Sequence, residues 1–435
     1  MKQEYFIDNK KSREILKMFN TTKMFVMLFV LSFLCVTEVF ALNGADVAGP
    51  ISRSMGGAGI AYPQDATTTS LTNPAGAITC TKCSTVEVDI GGYLLSSKSN
   101  ASIHVNSLSY GGDAASKVSP MPAVAISIPI DNNWNIGVGT AAVATFGANY
   151  KNTSLDQSSF YNMGLKGNYP LMGGTYSHLQ ILKIAPFVSY HPDDKFSIGI
   201  APNIDYGILD LDMGKSSNYG IGAQVGAIYK FNDIISIGAV YTTSQTINFK
   251  NVYDPDADGV KDNLKLALPQ KAGVGMALKP FGDNLLIETD IKWLNWADAK
   301  GYNDFNWRNQ WLYAIGVQYK PIPQLALRAG YNYARNPVKS HDNFDGTSYT
   351  DIQGKSVSTY YYEIVRVIGA SSMAEHHLFF GAGYEFTKNY AINAAYGHDF
   401  NKTLKEDGTN FLGQPVSVSS TDGGDSFALN LVLSF

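Results

Sequence analysis

After residue 41 the sequence has no apolar run long enough to cross a bilayer as an α-helix, which takes about 20 residues. This absence excludes a helical protein of the inner membrane. Charge is also scarce, because Asp, Glu, Lys and Arg make up 16% of the chain, against roughly 25% in soluble proteins. The formal net charge of -4 predicts no extended basic surface, so no nucleic-acid partner is expected.

The residue patterns of an enzyme are missing as well. The sequence contains no His–Glu, Ser–His–Asp or paired-carboxylate arrangement of the kind that catalysis needs. We therefore expect no catalytic residue, no cofactor and no metal ligand. One loop leaves a question open: Asp254, Asp256 and Asp258 precede Gly259 as in the first half of a calcium loop, but the twelfth position is Lys265. A solvated acidic loop is the favoured interpretation, and a calcium site is the alternative.

Residues 1–41 have the features of a signal peptide. Basic residues come first, the apolar run 24–36 follows, and small residues occupy the −3 and −1 positions of a cleavage site after Ala41. Either Met18 or Met24 could serve as the start of this signal. We predict that the chain is exported.

Cysteine is rare, with 3 residues in the chain. Cys80 and Cys83 lie beyond the predicted cleavage site. In an exported protein this pair predicts a disulfide that closes a small loop. A redox or metal role for such an isolated pair is the alternative.

The rest of the chain is rich in short segments in which every second residue is apolar. At its end, Phe427, Leu429, Leu431, Leu433 and Phe435 alternate with mostly small or polar residues, the pattern of a strand with one apolar face. Many such strands, the last ending on an aromatic residue, are typical of outer-membrane β-barrels. The predicted strands are 84–96, 121–130, 134–147, 180–190, 195–209, 218–230, 234–248, 266–279, 285–296, 310–320, 325–335, 376–387, 390–400 and 425–435.

The sequence thus predicts an all-β fold, a transmembrane antiparallel β-barrel of about 14 strands over residues 84–435. Its location is the outer membrane of a Gram-negative bacterium, with lipids against the outer face. Short and long connections alternate along the chain, which assigns the short turns to the periplasm and the long loops to the exterior. Strand parity turns Lys183, Asp290 and Arg328 toward the lumen, since a charge facing lipid would cost about 2–4 kcal/mol. Ion pairing across the lumen is the simplest use of such charges.

Residues 42–83 do not alternate and contain a glycine-rich stretch. Glycine permits close backbone packing and positive φ angles. A compact segment of this kind ahead of a barrel is expected to lie in the lumen as a plug, or hatch.

Distinctive motifs recur through the mature chain. They are Met55-Gly56-Gly57-Ala58-Gly59, Gln64-Asp65-Ala66, Asn73-Pro74-Ala75-Gly76, Trp134, Phe146-Gly147, Leu268-Pro269, Asp290, Trp293, Trp296, Arg328-Ala329-Gly330-Tyr331, Asn336-Pro337 and Phe435. In these motifs the chain resembles the FadL type of outer-membrane protein, the family of long-chain fatty acid and aromatic hydrocarbon transporters. This resemblance implies a monomeric barrel, an N-terminal hatch, and diffusion of hydrophobic molecules through a lateral opening at a kinked third strand. It also implies that the terminal aromatic residue is part of the signal for the barrel assembly machinery.

The resemblance assigns roles to some of these residues. Asn73, Pro74 and Ala75 are expected to hold the plug against the wall, and Gly147 belongs to the kinked third strand. The small residues 137–144 fit either a kink or packing against the plug.

Family members bind the acid head with basic lumen residues and the tail with apolar ones. For the head we predict Arg328, with Lys183 as second choice, beneath the long loops. Phe187 and Phe379 are predicted tail contacts, and filling of the barrel interior is the alternative use of both rings.

The expected function is uptake of hydrophobic compounds, foremost long-chain fatty acids. A general porin for polar solutes is one alternative, although a plug argues against it. An outer-membrane adhesin or enzyme is another, and no catalytic constellation or large binding loop supports it.

Overall fold

The computed structural model describes residues 49–80, 85–115, 118–155, 176–211, 214–254, 259–369 and 374–435. The predicted signal peptide, Cys83, and residues 255–258 of the possible calcium loop lie outside these ranges. Cys80 is disulfide-bonded, while its pairing with Cys83 stays a prediction. No helix in the described ranges is both long enough and apolar enough to span a membrane.

Fourteen antiparallel strands form a closed barrel. The first strand pairs with the last, Glu87 opposite Ser434, and also with the second, Glu87 opposite Ser127. Closure gives every strand two neighbours, which supply partners for its backbone groups in the bilayer. The strands are β1 Glu87–Val105, β2 Val118–Pro129, β3 Trp134–Asn149, β4 Tyr176–Tyr190, β5 Phe196–Asp210, β6 Lys215–Lys230, β7 Ile235–Thr242, β8 Lys271–Leu278, β9 Leu285–Leu294, β10 Gln310–Ile322, β11 Leu325–Ala334, β12 His376–Thr387, β13 Tyr390–Thr409 and β14 Pro415–Ser434.

Shorter elements belong to the plug and the connections. The helices are α1 Gly49–Ser54, α2 Ala66–Leu71 and α3 Thr359–Ile364, with 3₁₀ turns at Gly76–Ile78 and Trp296–Asp298 and a π-helical turn at Val365–Gly369. The additional strands are Leu108–Asp113, Gln245–Tyr253, Asp262–Leu268, Pro280–Asp283, Tyr349–Ile352 and Lys355–Ser358.

The predicted faces of the strands are confirmed. On β14, Phe427 and Leu429 are each 59% exposed toward the membrane. The residues that flank this pair, Ser426 and Asn430, are buried. The charged residues assigned to the lumen, such as Asp290, are buried inside the barrel. The period of two therefore distinguishes the lipid side from the lumen side.

Several predicted strand boundaries are wrong. The first strand continues to Val105 instead of ending at residue 96, so part of the predicted loop 97–120 is strand. The predicted strand 234–248 ends at Thr242, and residues 245–253 turn inside, where they pair with residues 262–268. Ile247 and Phe249 of this inner hairpin are fully buried and lie against inward glycine positions of β5 and β6. Their alternation is that of a barrel strand, so sequence pattern alone could not separate the two.

The predicted loop 401–424 is also mostly strand, because β13 and β14 stay paired from Lys402–Asp422 up to Thr409–Pro415. The outward face of this part is polar, with exposed residues such as Thr403, Lys405 and Asp407, so it lacks the outward apolar residues of a lipid-facing strand.

Candidate functional site

The plug, residues 49–80, is held inside the barrel by carboxylates of the wall. The backbone amides of Gly59 and Ile60 donate to Asp290 at 3.0 and 3.2 Å. Beside it, the Lys292 Nζ donates to the carbonyl oxygen of Gly57 at 2.7 Å and lies 3.9 Å from Asp290. The acid and the base on β9 therefore bind neighbouring groups of one plug segment.

A second set of carboxylates surrounds the beginning of α2. Glu87 on β1 accepts from the amide of Ala66 at 2.8 Å, and Asp89 accepts from the amide of Thr67 at the same distance. Asp65 caps the helix by accepting from Thr68 at 2.7 Å. These hydrogen bonds satisfy amides that a helix leaves unpaired at its start. Glu87 and Asp89 were not singled out from the sequence, where they are two acidic residues in an alternating strand.

Glycines of the wall allow the plug backbone to lie directly against it. A Cβ atom at Gly316 would lie 2.5 Å from the carbonyl oxygen of Met55, and one at Gly330 would clash with the amide nitrogen of Gly56. Side chains at these inward positions would push the plug away from the strands.

Asn73 joins two parts of the plug at the wall. Its Nδ2 donates to the carbonyl oxygen of Ile60 at 2.7 Å, and its Oδ1 accepts from the amide of Ala75 at 3.0 Å. Pro74 packs against the bare backbone of Gly199, where any Cβ atom would clash with its carbonyl group. This placement fits the predicted docking of the three residues, and their role in gating stays a prediction.

The interior of the barrel is divided into an apolar and a polar half. Near the long loops, inward side chains and loop residues form one apolar cluster that reaches Ala58 of the plug. Near the short turns, many of the buried inward residues are polar, among them Glu288, Gln318, Asn393 and Asn430. The apolar cluster includes Ile103, Leu179, Leu209, Phe249, Trp307, Leu312, Tyr360, Val367 and Val418.

Little space remains between the plug and the short turns. A cavity there has a volume of about 80 Å³ and is lined by polar residues such as Asp65, Glu87 and Arg328. Pockets that bind small molecules usually measure about 300–1,000 Å³. At its mouth the Lys279 ammonium donates to the Asp283 carboxyl and holds the pKa of that group below its ordinary value.

The barrel wall is interrupted between β2 and β3. Their ladder runs from Pro129–Asn135 to Ala123–Ala141 and ends there, although β3 continues to Asn149 and stays paired with β4. Beyond Ala123, β2 pairs only with β1. Pro120 and Pro122 lie in this part of β2 and have no amide hydrogen to donate, which suits an unpaired strand edge.

The third strand carries a bulge at the same place. Ala142 pairs with Leu182 and Ala144 with Ile181, so Val143 is an extra residue in β3. A bulge bends a strand and increases its twist. Gly147 lies beyond the bulge, in the part of β3 that has left β2, paired with His178. The ladder between β2 and β3 therefore stops at Ala123 and Ala141, and a lateral opening at this place stays a prediction.

The predicted basic residues do not share one site. Arg328 lies near the short turns rather than beneath the long loops, because its Nε donates to Gln318 at 2.7 Å and its Nη1 to Asn393 at 3.0 Å. Lys183 donates to Gln245 of the inner hairpin at 3.1 Å and lies 3.9 Å from Asp205. A role of either residue in ligand binding stays a prediction.

The two predicted aromatic contacts are buried inside the barrel. Phe187 covers the backbone of Gly137 on β3, which fits the alternative of interior filling. The ring of Phe379 lies 5.7 Å from the guanidinium of Arg53 in α1. Arg53 is fully buried and was missed from the sequence, because the plug segment has no alternation from which a direction could be read.

A closed barrel of fourteen strands, with an internal plug and an interrupted wall, defines a class of outer-membrane protein. Residues 208–345 match the sequence model of the family described as outer membrane protein transport protein (OMPP1/FadL/TodX). Outer membrane protein P1 of Haemophilus influenzae is 23% identical over 260 residues, 54% of this chain and 51% of that protein. The chain thus spans about half the length of the curated relatives that it matches.

Solved structures have the same fold. The toluene transporter TodX of Pseudomonas putida has a TM-score of 0.60 at 16% identity, over 90% of this chain and 99% of that one. A FadL homologue of Pseudomonas aeruginosa has a TM-score of 0.64 at 15% identity, over 92% of this chain and 100% of that one. The predicted resemblance to the FadL type is confirmed: residues 208–345 match the sequence model of this family, and the barrel has the fold of these solved structures.

Proposed function

We propose that the protein takes up hydrophobic compounds, foremost long-chain fatty acids, across the outer membrane. The ligand enters among the long loops, moves by diffusion along the apolar half of the lumen, and leaves sideways into the bilayer between β2 and β3. It acts as a monomer without a cofactor and catalyses no reaction. The terminal Phe435, 42% exposed on the lipid side, is proposed to be read by the barrel assembly machinery.

One observation supports this proposal: the apolar part of the lumen and the β2–β3 ladder both end partway along the barrel. The apolar cluster reaches the plug, and the ladder between β2 and β3 stops at Ala123 and Ala141. An acyl chain would lose roughly 0.8 kcal/mol for each CH₂ that moved from an apolar into a polar, hydrated environment. Passage along the axis is therefore unfavourable, and exit through the wall keeps the chain in apolar surroundings throughout.

Aromatic hydrocarbons are the second candidate class of substrate. TodX is a toluene transporter, and the apolar cluster contains aromatic residues such as Trp296, Tyr302 and Trp307. Uptake of radiolabelled oleate and of toluene by a deletion strain, with and without the gene restored, tests both classes. We expect oleate uptake to depend on the gene. The proposal fails if the uptake of neither compound depends on it.

A general porin would show a large, steady ion conductance, whereas a plugged barrel would not. We expect the purified protein in a planar bilayer to show little steady single-channel conductance, because the plug and its hydrogen bonds block the axis. A large, steady conductance of the wild-type protein would favour the porin instead.

The seating of the plug gives a further prediction. Asn73→Ala and Pro74→Ala, singly or combined, should lower fatty acid uptake while the barrel still folds and inserts. Each lost hydrogen bond of Asn73 weakens the plug by about 1 kcal/mol. Gln64→Ala, at a half-buried plug residue, is the control and should leave uptake unchanged. Wild-type uptake by a heat-modifiable double variant would contradict the assigned role.

A further inference from the structure

A groove lies on the outer face of the barrel, across strands β5 to β9. Its volume is about 460 Å³, within the range of about 300–1,000 Å³ that is usual for sites of small molecules. Ala227 and Ala239, opposite each other on β6 and β7, line it between larger side chains. The larger side chains, all exposed on the lipid side, include Phe196, Tyr229, Ile237, Met276 and Ile291. The groove therefore opens toward the bilayer.

The plug lies directly behind this groove. The Nδ2 atom of Asn73 lies 3.4 Å from the carbonyl oxygen of Ala227 and 3.5 Å from that of Ala239. Gly226, which precedes Ala227, faces inward, and a Cβ atom there would clash with Oδ1 of Asn73. A single layer of backbone thus separates a ligand in the groove from the plug.

One end of the groove carries positive charge. Phe196 begins β5 and pairs with Tyr229 near the end of β6, so the groove reaches the short turns. Lys195 and Lys230 come next, and the amide of Lys230 donates to the carbonyl oxygen of Lys195 at 2.7 Å. Tyr229 and Phe231 are in edge contact, with ring centres 5.0 Å apart, and aromatic residues mark the interface of a bilayer. Two cations therefore lie at the level where a membrane lipid has its phosphate.

The same turns also carry negative charge. Asp194 precedes Lys195, and Asp233 follows the end of β6, and both are exposed. A carboxylate repels a phosphate and attracts an ammonium group. Charges of both signs at the end of an apolar groove match a lipid whose head bears a phosphate and an ammonium group.

We propose that the groove binds a phospholipid with a zwitterionic head, from the leaflet at the short turns. One acyl chain lies over Ala227 and Ala239, the phosphate lies against Lys195 and Lys230, and the ammonium group faces the aspartates of the same turns. This lipid stays on the outer wall and is not the transported compound. The inference therefore goes beyond the proposed function and does not depend on it.

The test is native mass spectrometry of the purified full-length protein, titrated in detergent with dioleoylphosphatidylethanolamine. We expect saturable binding to the wild-type protein. Ala227→Leu combined with Ala239→Phe fills the groove and should lower the affinity by at least about tenfold, because the acyl chain loses its contacts with the wall.

Ala329→Phe is the matched control for this change. Ala329 is an exposed alanine on the outer face of β11, outside the groove. Its replacement should alter the affinity by less than about twofold. Ala239→Leu alone is the milder variant, to be used if the double variant does not fold. Heat-modifiable mobility on gels reports that each barrel has folded.

A second comparison tests the head group. Lys195→Gln combined with Lys230→Gln should lower the affinity for dioleoylphosphatidylethanolamine by about tenfold, the effect of losing a charge-assisted hydrogen bond. Binding of dioleoylglycerol, which has the same chains and no phosphate, should be unaffected. Lys320→Gln combined with Lys388→Gln removes two lysines at other short turns and is the control, with no change expected.

The outcomes decide both parts of the proposal. Unchanged affinity in the variant with the filled groove would overturn it, as would an equal loss in Ala329→Phe or unsaturable binding of many lipids to the wild-type protein. Equal losses of both lipids in the variant without Lys195 and Lys230 would overturn the assignment of the phosphate. Tighter binding of dioleoylphosphatidylglycerol than of dioleoylphosphatidylethanolamine would overturn the zwitterionic head. None of these results depends on whether the protein takes up oleate.

Discussion

Deletion of Val143 is expected to reduce fatty acid uptake by at least about tenfold while oleate binding persists. Val143 is the extra residue of the β3 bulge, between the pairs Ala142–Leu182 and Ala144–Ile181. Without it, β3 can pair continuously with β4 and is no longer bent away from β2. Because Ala144 already pairs with the inward Ile181, the rest of the strand keeps its faces. The lateral opening should close, and the ligand should remain trapped in the lumen.

The measurement is uptake of radiolabelled oleate by cells, together with equilibrium binding to the purified barrel. Val143→Ala is the matched control, since it shortens the side chain but keeps the extra residue, and it should transport normally. Uptake at the wild-type rate by a correctly inserted deletion variant would rule out exit between β2 and β3.

Replacement of Asp290 by Ala should unseat the plug and give the barrel a steady ion conductance. The substitution removes the acceptor of the Gly59 and Ile60 amides and leaves Lys292 buried without this nearby carboxylate. Breaking a buried ion pair by removing one partner costs about 3–5 kcal/mol. That cost falls on the contact between plug and wall, because the strands keep their own backbone hydrogen bonds.

Planar-bilayer recording checks this result, with protease sensitivity of the plug as a second readout. Asp290→Asn should have a smaller effect, since its amide oxygen still accepts a hydrogen bond. Asp205→Ala is the matched control: Asp205 is an inward carboxylate 3.9 Å from Lys183 and forms no hydrogen bond to the plug among the described residues. A silent Asp290→Ala barrel would show that the other contacts of the plug hold it without Asp290.

The barrel was predictable because lipid imposes a strict pattern on its strands. All fourteen predicted strands correspond to observed ones in order, and the lumen side of Asp290 and Arg328 followed from parity. The same reasoning failed above the membrane, at residues 402–409, where the outward face is polar. It failed again at residues 245–253, where an inner hairpin has the same alternation.

The site was less predictable, because its contacts join distant parts of the chain. Lumen charges could be placed inside, but nothing in the sequence pairs Asp290 with Gly59 or Ser426 with Arg53. The resemblance predicted an opening at the third strand. Its position followed only from the register, which shows where the ladder between β2 and β3 stops.

The glycines that seat the plug have a consequence for the order of events during biogenesis. The plug precedes β1 in the chain, yet its backbone lies against bare positions of β5, β10 and β11, at Gly199, Gly316 and Gly330. We expect a segment held so closely on several sides to be laid against these strands while the cylinder is still open. Joining of β1 to β14 would then be the last step, and it would enclose the segment that precedes β1 in the chain.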